Sequence, residues 1–133
     1  MSAASTWLES AALNHFFRNT PTTPPQQPFL GLFISDPTDG NIGVEVSDDD
    51  YARQSAIFSA PYKKENGYMY ITNIEDIHFP VASVNQGVIS HFGVFTAATG
   101  GELMVHGAVP IPREIMAGDE AVYREGSLEI MIN

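Results

Sequence analysis

Leu8, Ala12 and Phe16, with Leu13 and Phe17 beside them, recur at helical spacing in the first twenty residues. The spacing predicts a helix from Thr6 to Arg18. Thr6 followed three residues later by Glu9 has the form of a capping box. Asn19-Thr20-Pro21 supplies a stop, because asparagine tolerates left-handed backbone and proline cannot continue a helix. Pro21, Pro24, Pro25 and Pro28 then fall among Thr and Gln, and a fixed φ without a backbone donor predicts an extended strap. At roughly 3 Å per residue, about eight such residues reach some 25 Å.

From Phe29 onward the period shortens to short apolar runs broken every eight to twelve positions by turn residues, the pattern of an all-β sandwich or barrel. Strands are expected at 29–35, 51–59, 68–72, 74–79, 88–97, 103–109, 120–124 and 128–132, with Gly100-Gly101 closing a hairpin between the two strongest. The reading is therefore a mainly β chain: an antiparallel sandwich or barrel over 29–133, preceded by a helix and proline-rich arm over 1–28. Alternation assigns Leu32, Ile57, Phe79, Val88, Phe92, Val94, Leu103, Val105, Leu128 and Ile130 to the core. The stretch 36–50 offers only Ile42, Val44 and Val46 as core residues and is expected to be a solvent-facing loop with at most a short edge strand.

Composition narrows the function. The chain has 133 residues, enough for one domain and little more. Its formal charge of -10 argues against phosphate-neutralising contacts, so neither nucleic acid nor an anionic membrane is an expected partner. No run approaches the roughly 20 apolar residues of a membrane span, and the N-terminus carries Glu9 without an early Lys or Arg, unlike an export signal. The absence of cysteine removes disulfides, thiolate nucleophiles and Cys-based metal sites.

Candidate chemistry is thin. His91 and His106 flank the Gly100-Gly101 turn and could meet over a carboxylate, but no two histidines show HxH or HxxxH spacing. Asp48-Asp49-Asp50 lacks the alternation of a calcium loop. A G-x-S-x-G elbow and a glycine-rich phosphate loop are both missing, and Glu75-Asp76 and Asp119-Glu120 are strand neighbours that point to opposite faces. Neither enzymatic activity, cofactor nor metal site is expected. Two features do call for partners. Arg53, on an apolar strand of an arginine-poor chain, calls for a carboxylate within the domain or across a subunit boundary, with Asp48 to Asp50 and the many other acids as candidates, unless it stands exposed at a sheet edge. Trp7, Leu8, Phe16 and Phe17 are too much apolar surface for a short helix to leave in water, so the arm is expected to make contacts beyond the β domain or to fold back upon it.

The run LGLFISDPTDGNIGVEVSDDDYARQSAIFSAP at 30–61 and IHFPVASVNQGVISHFGVFTAATGGELMVHGAV at 77–109, with LNHFFRNT at 13–20 and the closing GDEAVYREGSLEIMIN, resembles a family of small phage virion proteins commonly labelled phage tail fibre protein. Asp48-Asp49-Asp50 stands where that family often has a glycine-rich turn, and Gln86 where it often has tryptophan. The resemblance implies a structural role and no catalytic residue. It implies a protein made in the host bacterial cytoplasm and built into the virion as a homotrimer, contacting the major capsid protein or a tail protein of the same phage. Among such roles, the small size and the arm lead us to expect a capsid decoration (cement) protein on the capsid exterior, with a tail fibre or tail adaptor protein as the alternative.

Overall fold

A computed structural model describes residues 2–132. The chain is mainly β with a single N-terminal helix, in the order β1 (Ser2–Ala4), α1 (Thr6–Phe17), β2 (Phe29–Phe33), β3 (Gln54–Ser55), β4 (Tyr62–Lys63), β5 (Met69–Thr72), β6 (Ile77–His78), β7 (Gly87–Phe95), β8 (Leu103–Ile115), β9 (Val122–Tyr123) and β10 (Glu129–Ile130). All strand pairs are antiparallel. The main sheet runs β1-β8-β7-β2-β3, and two small sheets, β10-β5-β4 and β6-β9, accompany it. Its edges, β1 and β3, stay open, so the layered alternative describes the fold and the closed barrel does not. No helix among the described residues is long and apolar enough to cross a membrane.

One face of the main sheet carries the larger core: Leu30, Leu32, Phe92, Val94 and Val105 share a cluster with Ile77, Phe79, Leu128 and Ile130 from the small sheets and their flanks. The opposite face holds a smaller cluster of Phe33, Phe95 and Leu103. Gly31 and Gly93 face each other in register there. A Cβ at Gly93 would come within 2.8 Å of Leu103 and 2.9 Å of Phe33, so the bare backbone is what lets the stacked Phe33 and Phe95 rings lie across the sheet.

Eight of the ten expected core residues are buried, whereas Ile57 and Val88 are 44% and 49% exposed. Their neighbours Ala56 and Ile89 take the inner positions. The cause at Val88 is a register shift: between Ile89 and His91 the pairing moves two residues along β7 but five along β8, from Arg113 to Ala108. The irregular stretch contains Pro110 and Pro112, which have no amide hydrogen for the ladder. Uniform alternation cannot survive such a bulge. β8 resumes beyond it, which carries the strand past the 109 boundary expected from sequence.

Two further features are local. The stretch 36–50 is largely exposed, as expected, and its one edge pairing runs along β2, with a bridge from Phe33 to Glu45 and with Val46 donating to the Leu32 carbonyl. Only Val46 of its three apolar candidates is buried; Ile42 and Val44 are exposed. The helix cap is Ser5 rather than Thr6: the Ser5 side chain accepts from the Leu8 amide, while the Thr6 amide is bound by the Asp39 carbonyl.

Candidate interaction surface

The base of α1 is fixed by small residues. Ser2, Ala3 and Ala4 pair with Gly107, His106 and Val105 of β8. Ser2, Ala4 and Ser5 are buried, and their small side chains let the edge strand lie close to the sheet. The Ser2 hydroxyl donates to the Met131 carbonyl and accepts from its amide, both at 2.6 Å, which ties the two chain ends together. The Ser5 amide donates to the Met104 carbonyl at 2.8 Å and the Ser5 hydroxyl donates to the Leu103 carbonyl. Residues 2–5 of the expected arm are thus an integral strand and cap, a role invisible in sequence because three small residues are too short for any alternation to register.

Beyond this anchor the helix is bare. No residue of α1 is fully buried. Trp7 and Leu8, near the base, are half-buried, and Leu8 packs against the main core. Leu13, Phe16 and Phe17, at the far end, are 58%, 75% and 80% exposed. The C-terminal end is well formed: the Arg18 and Thr20 amides both donate to the Asn14 carbonyl, and Asn19 adopts a φ of 54°, the left-handed stop expected of it. The strap then returns beside the helix, where the Thr22 amide donates to Nδ1 of His15 at 3.1 Å. Helix, strap and sheet enclose an open apolar groove of about 730 Å³, lined by Trp7, Leu8, Ala12, Pro24, Pro25 and Met104 among others, with Glu9 as its acid. Met104 was not singled out by sequence, and Pro24 and Pro25 were read only as part of the strap; the fold brings all three to the helix.

Arg53 is placed differently. Its Nε and Nη2 donate to Oε2 and Oε1 of Glu45 at 2.9 and 2.8 Å, a bidentate pair. Nη1 donates to the carbonyls of Ala97 and Gly100 at 3.0 and 2.8 Å, and the guanidinium lies 3.5 Å from the Phe95 ring centroid. Every arm of the fork is engaged inside its own chain. The partner is Glu45, one of the chain's other acids, and not Asp48 to Asp50. Tyr51 completes the cluster, its hydroxyl donating to Glu45 at 2.5 Å and accepting from the Leu32 amide at 3.0 Å. Burial, reinforced by the Glu45 carboxylate, pushes the Tyr51 phenol far above its ordinary range. The cluster locks the 36–50 stretch and the β7–β8 turn over the second face of the main sheet.

The histidines considered as ligands lie on that same face. His91 is opposite Ala108, and His106 opposite Gly93, so the two are offset along the hairpin. Each has one ring nitrogen 3.9 Å from Asp36, and Nε2 of His106 lies 2.8 Å from Asp39. Among the described residues no group of three or more His, Asp or Glu side chains has the arrangement to hold a metal ion. Asp50 accepts from the amide and hydroxyl of Ser83, and Asp48 accepts from the Asp50 amide, so these acids organise their own loop.

The chemistry of the surface is therefore that of packing: a rigidly based helix, an apolar groove, and rings held out in solvent. No curated protein matches the chain. A family model described as Podophage GP4 fiber I protein gp80 matches residues 3–131. With anchor strand, helix, strap and β body all inside that match, the chain belongs to this family of phage fibre-type proteins and is a structural protein of a phage virion.

Proposed function

We infer that the protein is a subunit of a virion fibre, joined to its assembly through α1 and the groove beside it. The family's own description supports the fibre reading over capsid decoration, which was the first expectation from sequence. The observation that carries the mode of attachment is the exposure of Leu13, Phe16 and Phe17 on a helix whose base is pinned to the sheet. A rigid base with an apolar, unburied end is the form of a docking element, because such surface on a monomer marks an interaction site. The acidic β body supplies the displayed part. Its Arg53, Glu45 and Tyr51 cluster is satisfied within the chain.

The test is localisation in intact particles. A subunit tagged at the exposed Asn66-Gly67 turn and labelled with gold should mark the tail fibres in electron micrographs. Label spread over the capsid lattice would overturn the fibre reading in favour of decoration. In the same system, particles carrying L13S/F16S/F17S should lack the subunit, although the purified variant folds as the wild type does.

A further inference from the structure

We propose that the proline strap is a proton-operated flap, held beside α1 while the His15 ring is neutral and released when the ring is protonated. The device goes beyond the attachment of α1 to the particle and does not depend on which virion structure the subunit joins. One hydrogen bond carries it. The Thr22 amide donates to Nδ1 of His15 at 3.1 Å. A backbone amide can only donate, so Nδ1 holds a lone pair, the ring is neutral and its hydrogen sits on Nε2.

Among the described residues this is the one hydrogen bond that joins 21–27 to the rest of the chain. Pro21, Pro24 and Pro25 have no amide hydrogen to offer, and Thr23, Gln26 and Gln27 make no hydrogen bond to the helix or the sheet. The two ends of the strap are pinned by groups that do not titrate: the Thr20 amide donates to the Asn14 carbonyl, and the Pro28 carbonyl accepts from the Ala56 amide. Between these fixed points a single polar tie holds the segment, and its acceptor is a titratable ring.

An incoming proton goes to Nδ1, the one nitrogen of the neutral ring that is free to take it. The imidazolium has two donors and no acceptor, so the Thr22 N–H then faces another N–H and the tie is lost. Histidine is the side chain that ordinarily changes charge between about pH 5 and pH 8. The surroundings of His15 offer no carboxylate to hold the charged ring in place. On α1 the charged groups are Glu9, six residues and so about 9 Å back along the axis, and Arg18, a like charge already bonded to Asn14 at 2.7 Å. The strap brings only Pro, Thr and Gln, and β8 and the C-terminal segment bring Met104 and Ile132 to the groove. The helix itself persists, because a cation in its last turn suits the helix dipole. What moves is the strap. Pro24 and Pro25 line the groove together with Trp7, the single tryptophan of the chain, so release takes one wall from the groove and changes the surroundings of that indole.

Nuclear magnetic resonance of the purified full chain tests this. At about pH 7.5 the nitrogen shifts of His15 should show hydrogen on Nε2 and none on Nδ1. Between about pH 7.5 and about pH 5.5 the protection of the Thr22 amide, corrected for intrinsic exchange, should fall about fivefold or more, the weight of one ordinary hydrogen bond. The Thr20 amide, whose acceptor is a carbonyl, should keep its protection. Trp7 emission should shift over the same range. His15→Asn places an acceptor oxygen where Nδ1 stands and removes the titration, so in H15N both the Thr22 protection and the Trp7 emission should be the same at the two pH values. Hydrogen on Nδ1 at about pH 7.5, wild-type protection that does not change, or an H15N protein that titrates like the wild type would each overturn the proposal. So would loss at Thr20 equal to that at Thr22, which would mean that the end of α1 frays, and so would wild-type Trp7 emission that stays fixed, which would mean that the groove keeps its wall. All of these are read on the isolated chain, so they stand or fall separately from the labelling of fibres or shell.

Discussion

Arg53 and the far end of α1 both stand out in the sequence as groups that need partners, and the fold treats them in opposite ways. The guanidinium finds a bidentate carboxylate, two carbonyls and an aromatic face within its own chain. The helix is half-buried along one side, at Trp7, Leu8, Ala11 and Ala12, while Phe16 and Phe17 remain largely in solvent. The difference lies in how each is satisfied. A buried charge must be met by directed groups at fixed geometry, which a single chain can assemble. An apolar ring needs only area, and Phe16 and Phe17 find little of it on their own chain. A candidate interaction residue is thus judged by what remains unmet after folding, and on that measure Arg53 belongs to stability and α1 to assembly.

The contrast breaks most sharply at Arg53. Replacing it with alanine strands Glu45 against Tyr51 and the second face of the sheet, and unpaired half-buried charge predicts a loss of about 3 kcal/mol. Urea unfolding of R53A should show this at neutral pH, whereas L13S/F16S/F17S should stay within about 0.5 kcal/mol of the wild-type monomer, as exposed substitutions do. An R53A protein as stable as the wild type would remove the distinction between the two regions.

The glycine pair beneath the cluster sharpens the same point. Gly93→Ala places a methyl within 3 Å of Leu103 and Phe33 and should cost about 2 kcal/mol through overpacking. The effect is read from the same unfolding curves. Gly100→Ala meets no atom within 4 Å but has a φ of 62°, so it should cost less, about 1 kcal/mol.

Much of this architecture could be read from the chain, and the failures share a cause. The hairpin of β7 and β8 was legible because alternation and Gly100-Gly101 are local signals, and the helix because its period is local. The inward turn of Ile89 in place of Val88 was not, since it depends on a bulge created where Pro110 and Pro112 oppose another strand. Which of the many acids pairs with Arg53 was not legible for a similar reason. Asp48 to Asp50 are nearer in sequence, but the bridge of Glu45 to Phe33 is what carries the right carboxylate to the fork. Of the candidate surface, the rings were visible and the groove was not, because Met104 and the strap prolines join the helix only in three dimensions.

The anchor of the helix gives a smaller effect. Ser5→Ala removes the cap for the Leu8 amide and the bond to the Leu103 carbonyl, for a loss of about 1 kcal/mol. Hydrogen exchange should quicken across 6–17 while the amides shared by β7 and β2 keep their protection. Uniform quickening would show that α1 is part of the same cooperative unit as the core, and the contrast between the two regions would narrow.

The smallest expected effect concerns Glu129 on β10, which accepts from Lys64 at 2.6 Å and from Tyr62 at 3.0 Å. The Lys64 ammonium first, and the Tyr62 hydroxyl second, hold its carboxyl below the usual carboxylate range. A depressed folded value means that the folded state binds the proton less readily than the unfolded one. The stabilisation is therefore complete above the unfolded carboxylate value, about 4.3, and is lost as pH falls through the folded value. Both partners are well exposed, so water and salt screen the pair and the contribution is slight. The wild type should lose a little more stability than E129Q between about pH 5 and pH 3, with parallel curves above that window. High salt should shrink the difference. A gap that instead opens above pH 6 would mean that Glu129 acts through something other than this ion pair, and that the acidic body, like α1, holds an unmet group on its surface.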